Sequence, residues 1–358
     1  MRIIQVIDSL EAGGSERMAV SYANGLAEQI DFSGLVVTRK EGSLLSHLST
    51  KVDYLFLNKK SSLDLKAVFA LRRYIVKNKI TVVHTHSTSF FIGFLLKLIY
   101  PSIRILWHDH YGNSEFLKAR ATFPFRLTLP FFDGVISVNQ KLQQWAKQKL
   151  YFKNTIYLPN FPSKENGIES ITILKGVAGK RIVFLANLRP QKNHFLLLEV
   201  AKKLKETYPN WTFHLVGKDF EDDYSAAIKM LIIEYALKES VFLYGSKSDI
   251  QNVLEQADIC VLTSKSEGLP LALLEYGKAK KPVLVTDVGE IPAVVQNGKN
   301  GLVVAQKEEL FYDSLVELID NNALRIVFGK ELYKTVSQNF SEKLVINKYL
   351  NWLRNNQE

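Results

Sequence analysis

The segment 264–275 carries the residues best suited to binding an anionic sugar compound. It follows an apolar strand candidate that ends at Leu262, and Pro270 suits the first turn of a helix. Backbone amides that are unpaired at a helix start attract an anion, and the helix dipole strengthens that attraction. Here those amides would belong to Gly268, Leu269 and Leu271.

Two carboxylates flank this helix start. Glu267 precedes the helix, and Glu275 lies well inside it on an otherwise apolar stretch. A carboxylate in such a place should accept hydrogen bonds, and the hydroxyl groups of a sugar are good donors. The alternative is structural: Glu267 would cap the helix, and Glu275 would lie on a solvated face.

A basic loop follows the strand candidate 181–185. Arg189 and Lys192 lie three residues apart in this loop, so both cations can converge on one diphosphate. Asn187 lies in the same loop, and Gly217 follows the strand candidate 211–216. The alternative is a solvated loop that carries charge without a ligand.

Paired glycines follow the first strand candidate, at the start of a predicted helix. Gly13 and Gly14 allow close approach of a ligand to the backbone, and the helix amides favour an anion. The spacing is not G-x-G-x-x-G, so a nicotinamide-binding fold is poorly supported. The alternative is a tight strand-to-helix turn that Ser15 caps.

Two H-x-H pairs follow strand candidates in the first half. His84 and His86 come after one strand, and His108 and His110 flank Asp109 after another. Four such histidines could bind a metal ion, but the chain shows no convincing set of carboxylate ligands at other strand ends. We therefore expect no metal site and predict hydrogen bonding by these side chains in a cleft. A purely structural role is the alternative.

Short apolar strands alternate with longer amphipathic segments in both halves of the chain, which predicts βαβ units and parallel sheets. The first series of strands is predicted at 3–7, 34–38, 54–57, 82–84, 103–107, 134–138 and 155–158, with helices at 15–28, 65–77 and 140–148. The second series is predicted at 181–185, 211–216, 241–244, 259–262, 282–286 and 301–304. Ligands of such sheets bind beyond the carboxyl ends of the strands, where the candidate residues fall.

The proline-containing segment 158–167 is the predicted linker between two domains. It separates an N-terminal domain of residues 1–163 from a C-terminal domain of residues 164–340. A final helix is predicted at 341–355.

The net charge of +10 lies wholly in the first half. Residues 1–163 contain 21 Lys and Arg against 11 Asp and Glu, whereas residues 164–358 contain 25 of each. A basic half suggests a phospholipid surface or a lipid-linked phosphate as partner, and the alternative is no specific partner. No nucleic-acid motif is present, so nucleic acid is disfavoured.

The cysteine content and the apolar segments argue against a disulfide-rich secreted protein and against a membrane-spanning protein. The single cysteine, Cys260, excludes a disulfide framework. The chain shows no secretory signal and no apolar stretch long enough to span a bilayer, so the sequence predicts a cytoplasmic protein.

Glu267 and Glu275, with seven residues between them, resemble the E-x7-E motif of family-4 glycosyltransferases. Other motifs fall in the order of that family: Gly13-Gly14-x-Glu16, the N-domain histidine at His108, Pro159-Asn160, Arg189-x-x-Lys192, Asp287-Val288-Gly289-Glu290-Ile291 and Asn297-Gly298-x-Asn300-Gly301. The resemblance covers nearly the whole chain and is strongest between 187 and 304. One departure is Phe161, which stands after Pro159-Asn160 where the family often has glycine.

The resemblance implies the GT-B fold, an α/β architecture of two Rossmann-like domains that face each other across a deep cleft. The final segment, 341–358, would pack back on the first domain. It also implies a retaining mechanism with no bound metal and no other cofactor.

The donor side of the implied site lies in the second domain. Arg189 and Lys192 would neutralise the donor diphosphate, and Glu275 would bind the ribose. Glu267 would hold the hydroxyl groups of the transferred sugar. The donor-binding set is completed by Asn187, Gly217, Gly268, Leu269, Pro270 and Leu271.

The N-domain residues would meet the sugar and the acceptor. His108 would contact the transferred sugar near its reacting face, and the backbone at Gly13 and Gly14 would approach the donor phosphate and the acceptor. Further candidates on the acceptor side are Glu16, His86 and His110, and His110 competes with His108 for the role of the active histidine.

The expected substrates are a UDP- or GDP-sugar and a hydroxyl group of a lipid-linked or cell-surface glycan, as in polysaccharide biosynthesis at the inner face of the cell membrane. The basic first half adds an expected peripheral contact with anionic lipid. Two other enzyme classes are alternatives on a similar fold, a sugar-nucleotide epimerase and a metal-dependent hydrolase. A non-catalytic partner that keeps the fold is disfavoured by the intact charged motifs.

Overall fold

The computed structural model describes residues 1–11, 13–162 and 169–356. The chain divides into two compact units, Met1–Lys164 with Glu342–Glu358, and Glu165–Ser341. The predicted domain boundary between residues 163 and 164 falls outside the described residues.

The first unit is built on a parallel sheet whose strands are β1 (Arg2–Ser9), β2 (Phe32–Lys40), β3 (Asp53–Phe56), β4 (Val82–His86), β5 (Arg104–Asp109), β6 (Gly134–Ser137) and β7 (Thr155–Tyr157). Its helices include α1 (Gly14–Ala27), α2 (Leu65–Lys77), α3 (Phe90–Ile99), α4 (Phe123–Thr128) and α5 (Gln140–Lys149). The strand order is β3-β2-β1-β4-β5-β6-β7. This is the doubly wound arrangement that the alternation of strands and helices predicts.

The second unit repeats the arrangement with β8 (Arg181–Leu185), β9 (Thr212–Val216), β10 (Val241–Gly245), β11 (Ile259–Leu262), β12 (Val283–Thr286) and β13 (Leu302–Val304). The order is β10-β9-β8-β11-β12-β13, and all pairs are parallel. The helices are α6 (His194–Thr207), α7 (Asp223–Glu234), α8 (Ile250–Glu255), α9 (Leu271–Lys278), α10 (Ile291–Val294), α11 (Glu308–Asp320) and α12 (Asn322–Asn339).

The last helix, α13 (Glu342–Asn355), belongs to the first unit. The ring of Tyr349 on α13 lies 5.5 Å from that of Tyr22 on α1. The guanidinium of Arg104 on β5 donates to the carbonyl of Leu353 over 3.4 Å. None of the helices in the described part of the chain combines the length and apolar character that a bilayer crossing needs.

The two faces of the first sheet differ in polarity. Side chains alternate along a strand, so Ile4 and Val83 lie on the face that packs against α2, α3 and α5. Gln5 and His84, which are partners in the register of β1 and β4, lie on the opposite face beneath α1 and α13. This face therefore buries polar side chains from its central strands, and His108 on β5 joins them.

The strands β4 and β5 extend beyond their predicted ends. The strand β4 runs to His86 and β5 runs to Asp109, so His86 and His108, like His84, lie within strands rather than in the loops after them. The strands were predicted to end where polar residues begin. Hydrogen bonds between the imidazoles satisfy these polar side chains, so the strands continue in the interior.

Part of the predicted linker is a packed segment of the first unit. Residues 158–162 are buried, and the ring of Phe161 lies 5.2 Å from that of Tyr22. The departure from glycine at this position therefore places an aromatic side chain in the core. The remaining residues of the predicted linker, 163–167, lie outside the part that the structure describes.

Candidate active site

Two loops at the carboxyl end of the second sheet are joined by hydrogen bonds. The amide of Lys265, after β11, donates to the carbonyl of Gln191, after β8, over 2.7 Å. The hydroxyl of Thr263 donates to the carbonyl of Lys192 over 2.9 Å. Asn193 has a left-handed conformation with φ +55° and turns the first loop into α6. The loops are therefore held together at the sheet edge where open α/β sheets bind ligands.

Lys192, Glu267 and Ser264 form a polar cluster on these loops. The ammonium of Lys192 lies 2.5 Å from Glu267 Oε1, which also accepts a hydrogen bond from Ser264 Oγ over 2.6 Å. Glu267 is only 5% exposed, and a carboxylate buried to this degree needs a charged or hydrogen-bonding partner. The cluster thus holds a cation for a phosphate and an acceptor for hydroxyl groups side by side.

The backbone at Glu267 is also fixed by the loop after β12. Gly289 has φ +59°, and a Cβ at this position would collide with the carbonyl of Glu267. The amide of Glu290 donates to the carbonyl of Gly268 over 3.0 Å. Only glycine allows the two loops to approach so closely, so Gly289 helps to set the course of the segment before α9.

The helix α9 begins at Leu271, one residue later than the sequence predicts. Pro270 is its N-cap residue, and no side chain caps the helix. The prediction that Pro270 lies in the first turn is therefore wrong, because the residue precedes it. The hydroxyl of Tyr276 accepts from the amide of Leu185 over 2.7 Å and lies 3.3 Å from the carbonyl of Val261. Tyr276 thus fixes α9 against the ends of β8 and β11.

The structural alternative does not fit Glu275, which is half-buried rather than solvated. Glu267 is paired with Lys192, and the N-cap residue of α9 is Pro270. Gly268 and Leu269, which follow Glu267, are buried. Glu267 therefore lies before the start of α9, and Glu275 lies inside the helix.

Arg189 lies beside a different group of side chains from Lys192. Its guanidinium carbon lies 4.2 Å from the centre of the Phe220 ring, and the ammonium of Lys218 lies 5.1 Å from the same ring. Asn187 Oδ1 accepts from the amide of Lys218 over 2.8 Å. Arg189 itself is exposed. The described contacts thus join Lys192 to Glu267 and place Arg189 with Lys218.

Gly217 directly follows β9 and lies against the backbone after β8, in the segment that leads to Arg189. A Cβ at Gly217 would collide with the carbonyl of Ala186 at the end of β8. The amide of Gly217 donates to the carbonyl of Gly245 over 3.0 Å. The glycine therefore serves close packing of adjacent strand ends, a structural reason that the sequence alone does not give.

Gly13 is the N-cap residue of α1 and has no side chain with which to cap the helix. A Cβ at Gly13 would collide with the Glu16 carboxylate, which accepts a hydrogen bond from Ser15 Oγ over 2.8 Å. Ser15 lies inside the helix, so the alternative of a Ser15 cap is wrong. Gly14 is exposed and has open space around it. The turn therefore carries a carboxylate beside the helix amides, where the resemblance implies a phosphate.

The four histidines form two hydrogen-bonded pairs that stack on each other. His84 Nε2 lies 3.2 Å from His108 Nδ1, and His86 Nδ1 lies 3.0 Å from His110 Nε2. The rings of His84 and His86 stack on β4 with centroids 4.4 Å apart, and those of His108 and His110 are tilted by 34° with centroids 3.9 Å apart. Gln5 Oε1 accepts from His86 Nε2 over 2.8 Å. We call these five residues the histidine array.

The array is neutral because it is buried. Burial lowers the pKa of His84, His86 and His108 well below the ordinary value, and lowers that of His110 to about 3. His84, His86 and His108 are 0% exposed, and His110 is half-buried. His108, to which the resemblance gives a contact with the sugar, thus lies in the interior under the ring of Tyr22, 5.6 Å away.

His84, His86 and His108 also offer nitrogen atoms that all lie within 4.8 Å of one another. A metal ion needs lone pairs that converge on one point. The rings of His84 and His108 are nearly parallel, with centroids 5.2 Å apart. This separation is close to the 3.2 Å between His84 Nε2 and His108 Nδ1 plus the distance from each nitrogen to the centre of its own ring. Their nitrogens therefore face each other along one line, which suits a hydrogen bond better than chelation.

Two positioning residues were missed by the sequence analysis. Gln5 is a polar residue inside the apolar strand 3–7, and that exception was the available signal for a buried polar partner. Tyr276 gave no signal, because one aromatic residue in an apolar helix is typical of a core. Its hydrogen bonds to β8 and β11 depend on tertiary packing.

Comparisons with known proteins cover both units. A sequence profile described as Glycosyl transferases group 1 matches residues 173–335, and one described as Glycosyltransferase Family 4 matches residues 12–161. The first match contains the cluster of Lys192, Glu267 and Ser264. The second contains the glycine turn and the histidine array except for Gln5.

Curated relatives match over most of their length. The chain is 25% identical over 329 residues to the UDP-Gal:alpha-D-GlcNAc-diphosphoundecaprenol alpha-1,3-galactosyltransferase of Escherichia coli, covering 84% of this chain and 83% of the relative. It is 22% identical over 357 residues to the amylovoran biosynthesis glycosyltransferase AmsD of Erwinia amylovora, covering 97% and 98%. Among solved structures, Anabaena Alr3699/HepE in complex with UDP-glucose matches with a TM-score of 0.80 and 16% identity over 99% of this chain and 100% of that one.

Two doubly wound parallel sheets, which align with solved structures over almost the whole chain, define the GT-B fold, and the two matching profiles make the chain a glycosyltransferase. Within that class the chain belongs to the family-4 type, because the profiles of this group match in both units. The predicted fold class and family are confirmed.

Proposed function

We propose that this glycosyltransferase is a retaining enzyme that moves a sugar from a UDP- or GDP-sugar to a hydroxyl group of a lipid-linked or cell-surface glycan. The observation that carries the proposal is the cluster of Lys192, Glu267 and Ser264 beside the start of α9. A cation, a hydroxyl acceptor and a helix N-terminus are the groups that a nucleoside diphosphate sugar requires.

In this proposal the diphosphate lies between Lys192 and the amides at the start of α9. Departure of the nucleoside diphosphate builds up negative charge, and these groups stabilise it without rearrangement. Arg189 on the same loop as Lys192 and Lys218 after β9 add positive charge, and Glu275 accepts hydrogen bonds from the ribose. Donor binding also turns the ammonium of Lys192 toward a phosphate, so that the Glu267 carboxylate is released to accept sugar hydroxyl groups.

The transfer step needs no further reactant. The bond from the anomeric carbon to the diphosphate oxygen breaks, and a bond to the acceptor oxygen forms on the same face of the sugar. The acceptor proton passes to the leaving phosphate. All charge is thus handled by the donor and by the side chains around it, and we propose that no metal ion or other cofactor takes part.

The acceptor is assigned to the first unit on the basis of its charge. The relative from Escherichia coli carries a diphosphoundecaprenol-linked acceptor in its name, which supports a lipid-linked glycan here. Residues 65–108 contain seven Lys and Arg and no Asp or Glu. Such a segment attracts an anionic lipid surface, so we propose that the protein works at the inner face of the cell membrane.

The helix α2 provides a surface suited to this membrane contact. Leu65, Phe69 and Val76 are 60%, 51% and 50% exposed. Exposure of such apolar side chains to water is unfavourable. The exposed basic residues of the same helix are Lys66, Arg73 and Lys77. Apolar and basic side chains on one helix are typical of an interfacial contact with anionic lipid.

The transfer assay offers the purified protein UDP- and GDP-sugars with and without an undecaprenyl-diphosphate-linked glycan. We expect a glycosylated product only when donor and acceptor are both present, with the anomeric configuration of the donor. Conversion of the donor alone into another sugar nucleotide would instead indicate an epimerase. An inverted product would contradict the retaining mechanism.

The membrane contact is tested by sedimentation with vesicles. We expect binding to phosphatidylcholine vesicles that contain phosphatidylglycerol, weakening as salt is raised, and none to pure phosphatidylcholine. Phe69→Asp should reduce this binding several-fold. Met230→Asp is the matched control, because Met230 on α7 is 68% exposed in the second unit. Equal loss in both variants, or equal binding to neutral vesicles, would contradict the assignment.

A further inference from the structure

One row of the histidine array runs from the middle of the first sheet to its carboxyl edge. Gln5 on β1 is joined to His86 on β4 over 2.8 Å, and His86 is joined to His110 after β5 over 3.0 Å. Gln5 and His86 are 0% exposed, whereas His110 is half-buried. The row thus connects a buried amide to a ring that reaches the edge where the acceptor side of the site is expected.

The direction of each hydrogen bond in this row follows from the amide oxygen. Gln5 Oε1 can only accept, so His86 Nε2 carries a proton. Both rings are neutral, because burial lowers the pKa of His86 well below its ordinary value and that of His110 to about 3. A neutral imidazole has one N–H, so His86 Nδ1 accepts and His110 Nε2 donates. The lone pair of His110 is then on Nδ1.

We propose that Gln5 and His86 are positioning residues that hold His110 in the tautomer with its proton on Nε2. His110 Nδ1 is thereby kept as an acceptor for a hydroxyl group of a bound sugar, a role that rests on the glycosyl transfer proposed above. Among the described residues, His110 Nδ1 has no hydrogen-bond partner of its own. The fixed lone pair selects a hydroxyl donor over a carbonyl or carboxylate oxygen, which could not bond to it.

The second row of the array has no such anchor. Among the described residues, His84 and His108 bond only to each other through one nitrogen each, and the other two nitrogens, His84 Nδ1 and His108 Nε2, are buried without a hydrogen-bond partner. No acceptor in this part of the chain fixes which ring donates, so this row cannot impose a tautomer. The row is buried and its rings contact those of the first row, and it therefore serves as an internal control.

The tautomer can be read directly by long-range 1H–15N NMR of protein labelled with 15N-histidine at neutral pH. The resonances of His110 are assigned from their loss in His110→Gln. We expect a protonated Nε2 and an unprotonated Nδ1 for His110 and for His86. A proton on His110 Nδ1, a doubly protonated ring, or coordination of added Zn²⁺ by these nitrogens would overturn the proposal. The measurement needs no activity and therefore stands even if the proposed function fails.

Kinetics then test whether the tautomer matters to the reaction. Gln5→Leu keeps the volume of the side chain but removes the acceptor, so His110 should populate both tautomers. We expect kcat/KM to fall on the order of tenfold, as is typical when the partner that orients a functional imidazole is lost. The KM values then show which substrate carries the hydroxyl group. A higher KM for the acceptor would assign it to the acceptor, and a higher KM for the donor would assign it to the donor sugar.

The control variant is His84→Gln, which removes a buried imidazole from the second row. We expect its His110 resonances to match those of the unmodified protein, and its kcat/KM to stay within about threefold. Equal activity losses in Gln5→Leu and His84→Gln, with unchanged His110 resonances in both, would contradict the proposal. Gln5 would then have only a structural role. If Gln5→Leu does not fold, the spectrum of the unmodified protein still decides the tautomer.

Discussion

The two sheets of this protein share one strand order but bury different chemistry. In the first unit the central strands bring Gln5, His84 and His108 together beneath α1 and α13. In the second unit the corresponding strands β8 and β11 supply residues such as Phe184 and Cys260 to a large apolar core. The same topology therefore supports a polar interior on one side and a mostly apolar one on the other.

The difference separates two ways of building a site. In the second unit the apolar core holds the frame, and the reactive side chains lie on loops that lock together at its edge. In the first unit the polar side chains begin inside the sheet and reach the edge through hydrogen bonds. A loop site tolerates a change in the core, whereas a buried polar row depends on every partner in it.

Acid should separate the two units most strongly. Burial lowers the pKa of His47 and of the four histidines of the array in the first unit, and of His194 and His214 in the second. The unfolded chain takes up protons below about pH 6.5 while the folded chain does not, so this stability is complete above pH 6.5 and is lost as the pH falls. At pH 5 each histidine that stays neutral costs about 2 kcal/mol.

The first unit should therefore lose at least about twice as much stability as the second between pH 7 and pH 5. Hydrogen exchange followed by mass spectrometry measures this difference, after correction for the intrinsic effect of pH on exchange. We expect protection to fall first in β4 and β5, and later in β8 and β9. Loss of protection at the same pH in both sheets would remove the contrast between the polar and the apolar interior.

Lys192→Ala tests the loop site of the second unit. The ammonium would no longer stabilise the departing diphosphate, so we expect turnover to fall about 10²–10³-fold. Steady-state kinetics with the donor and acceptor found in the transfer assay measure the effect. Circular dichroism and thermal unfolding check that the fold survives.

The matched control for Lys192 is Lys334 on α12. Its ammonium also lies 2.5 Å from a glutamate, Glu331, but both side chains are largely exposed. Lys334→Ala should leave turnover unchanged, because surface ion pairs contribute little. Equal turnover in Lys192→Ala and the unmodified protein would contradict the role of Lys192 in catalysis.

The sequence predicted the elements better than it predicted the environment of the site. The strands 181–185 and 259–262 match the structure, because continuous apolar runs between polar segments specify a buried strand. The E-x7-E spacing and the basic pair indicated the two loops that the structure joins by hydrogen bonds, because loop motifs are local in sequence. Lys192 and Glu267 are brought together by pairing of β8 and β11, which spacing alone does not give.

The polar interior was harder to predict for a physical reason. His86 and His108 were expected after the ends of their strands, since an isolated imidazole in the core is unfavourable. Their burial depends on partners from neighbouring strands, and register between strands decides which residues become partners. Gln5 lies 81 residues from His86 in sequence, so no local pattern could connect them.

Gly289→Ala tests how tightly the loops of the second unit interlock. Alanine at φ +59° costs about 1 kcal/mol through strain alone, and collision with the carbonyl of Glu267 adds about 1–3 kcal/mol. Gly298→Ala is the control, because Gly298 has φ +73° but open space around it. Denaturant unfolding should show a loss of about 1 kcal/mol for Gly298→Ala and of about 2–4 kcal/mol for Gly289→Ala. Equal losses would mean that the loops can separate without cost.

The smallest expected difference in stability is between two helix N-caps, one buried in the first unit and one exposed in the second. Asn139 Oδ1 accepts from the amide of Leu142 over 2.7 Å at the start of α5, and Asn321 Oδ1 accepts from that of Leu324 over 2.9 Å at the start of α12. Asn139 is 0% exposed, whereas Asn321 is exposed. The same residue type thus makes the same hydrogen bond in two environments.

Replacement by alanine should reveal what water can restore. In Asn321→Ala water reaches the freed amide, so we expect a loss of about 1 kcal/mol in the free energy of unfolding. In Asn139→Ala the amide of Leu142 stays buried and unpaired, which costs about 1–3 kcal/mol. Denaturant unfolding of both variants measures the difference, and a smaller loss for Asn139→Ala would show that the first unit relaxes around a missing polar partner. Such relaxation would also weaken the argument that its buried polar row depends on every partner in it.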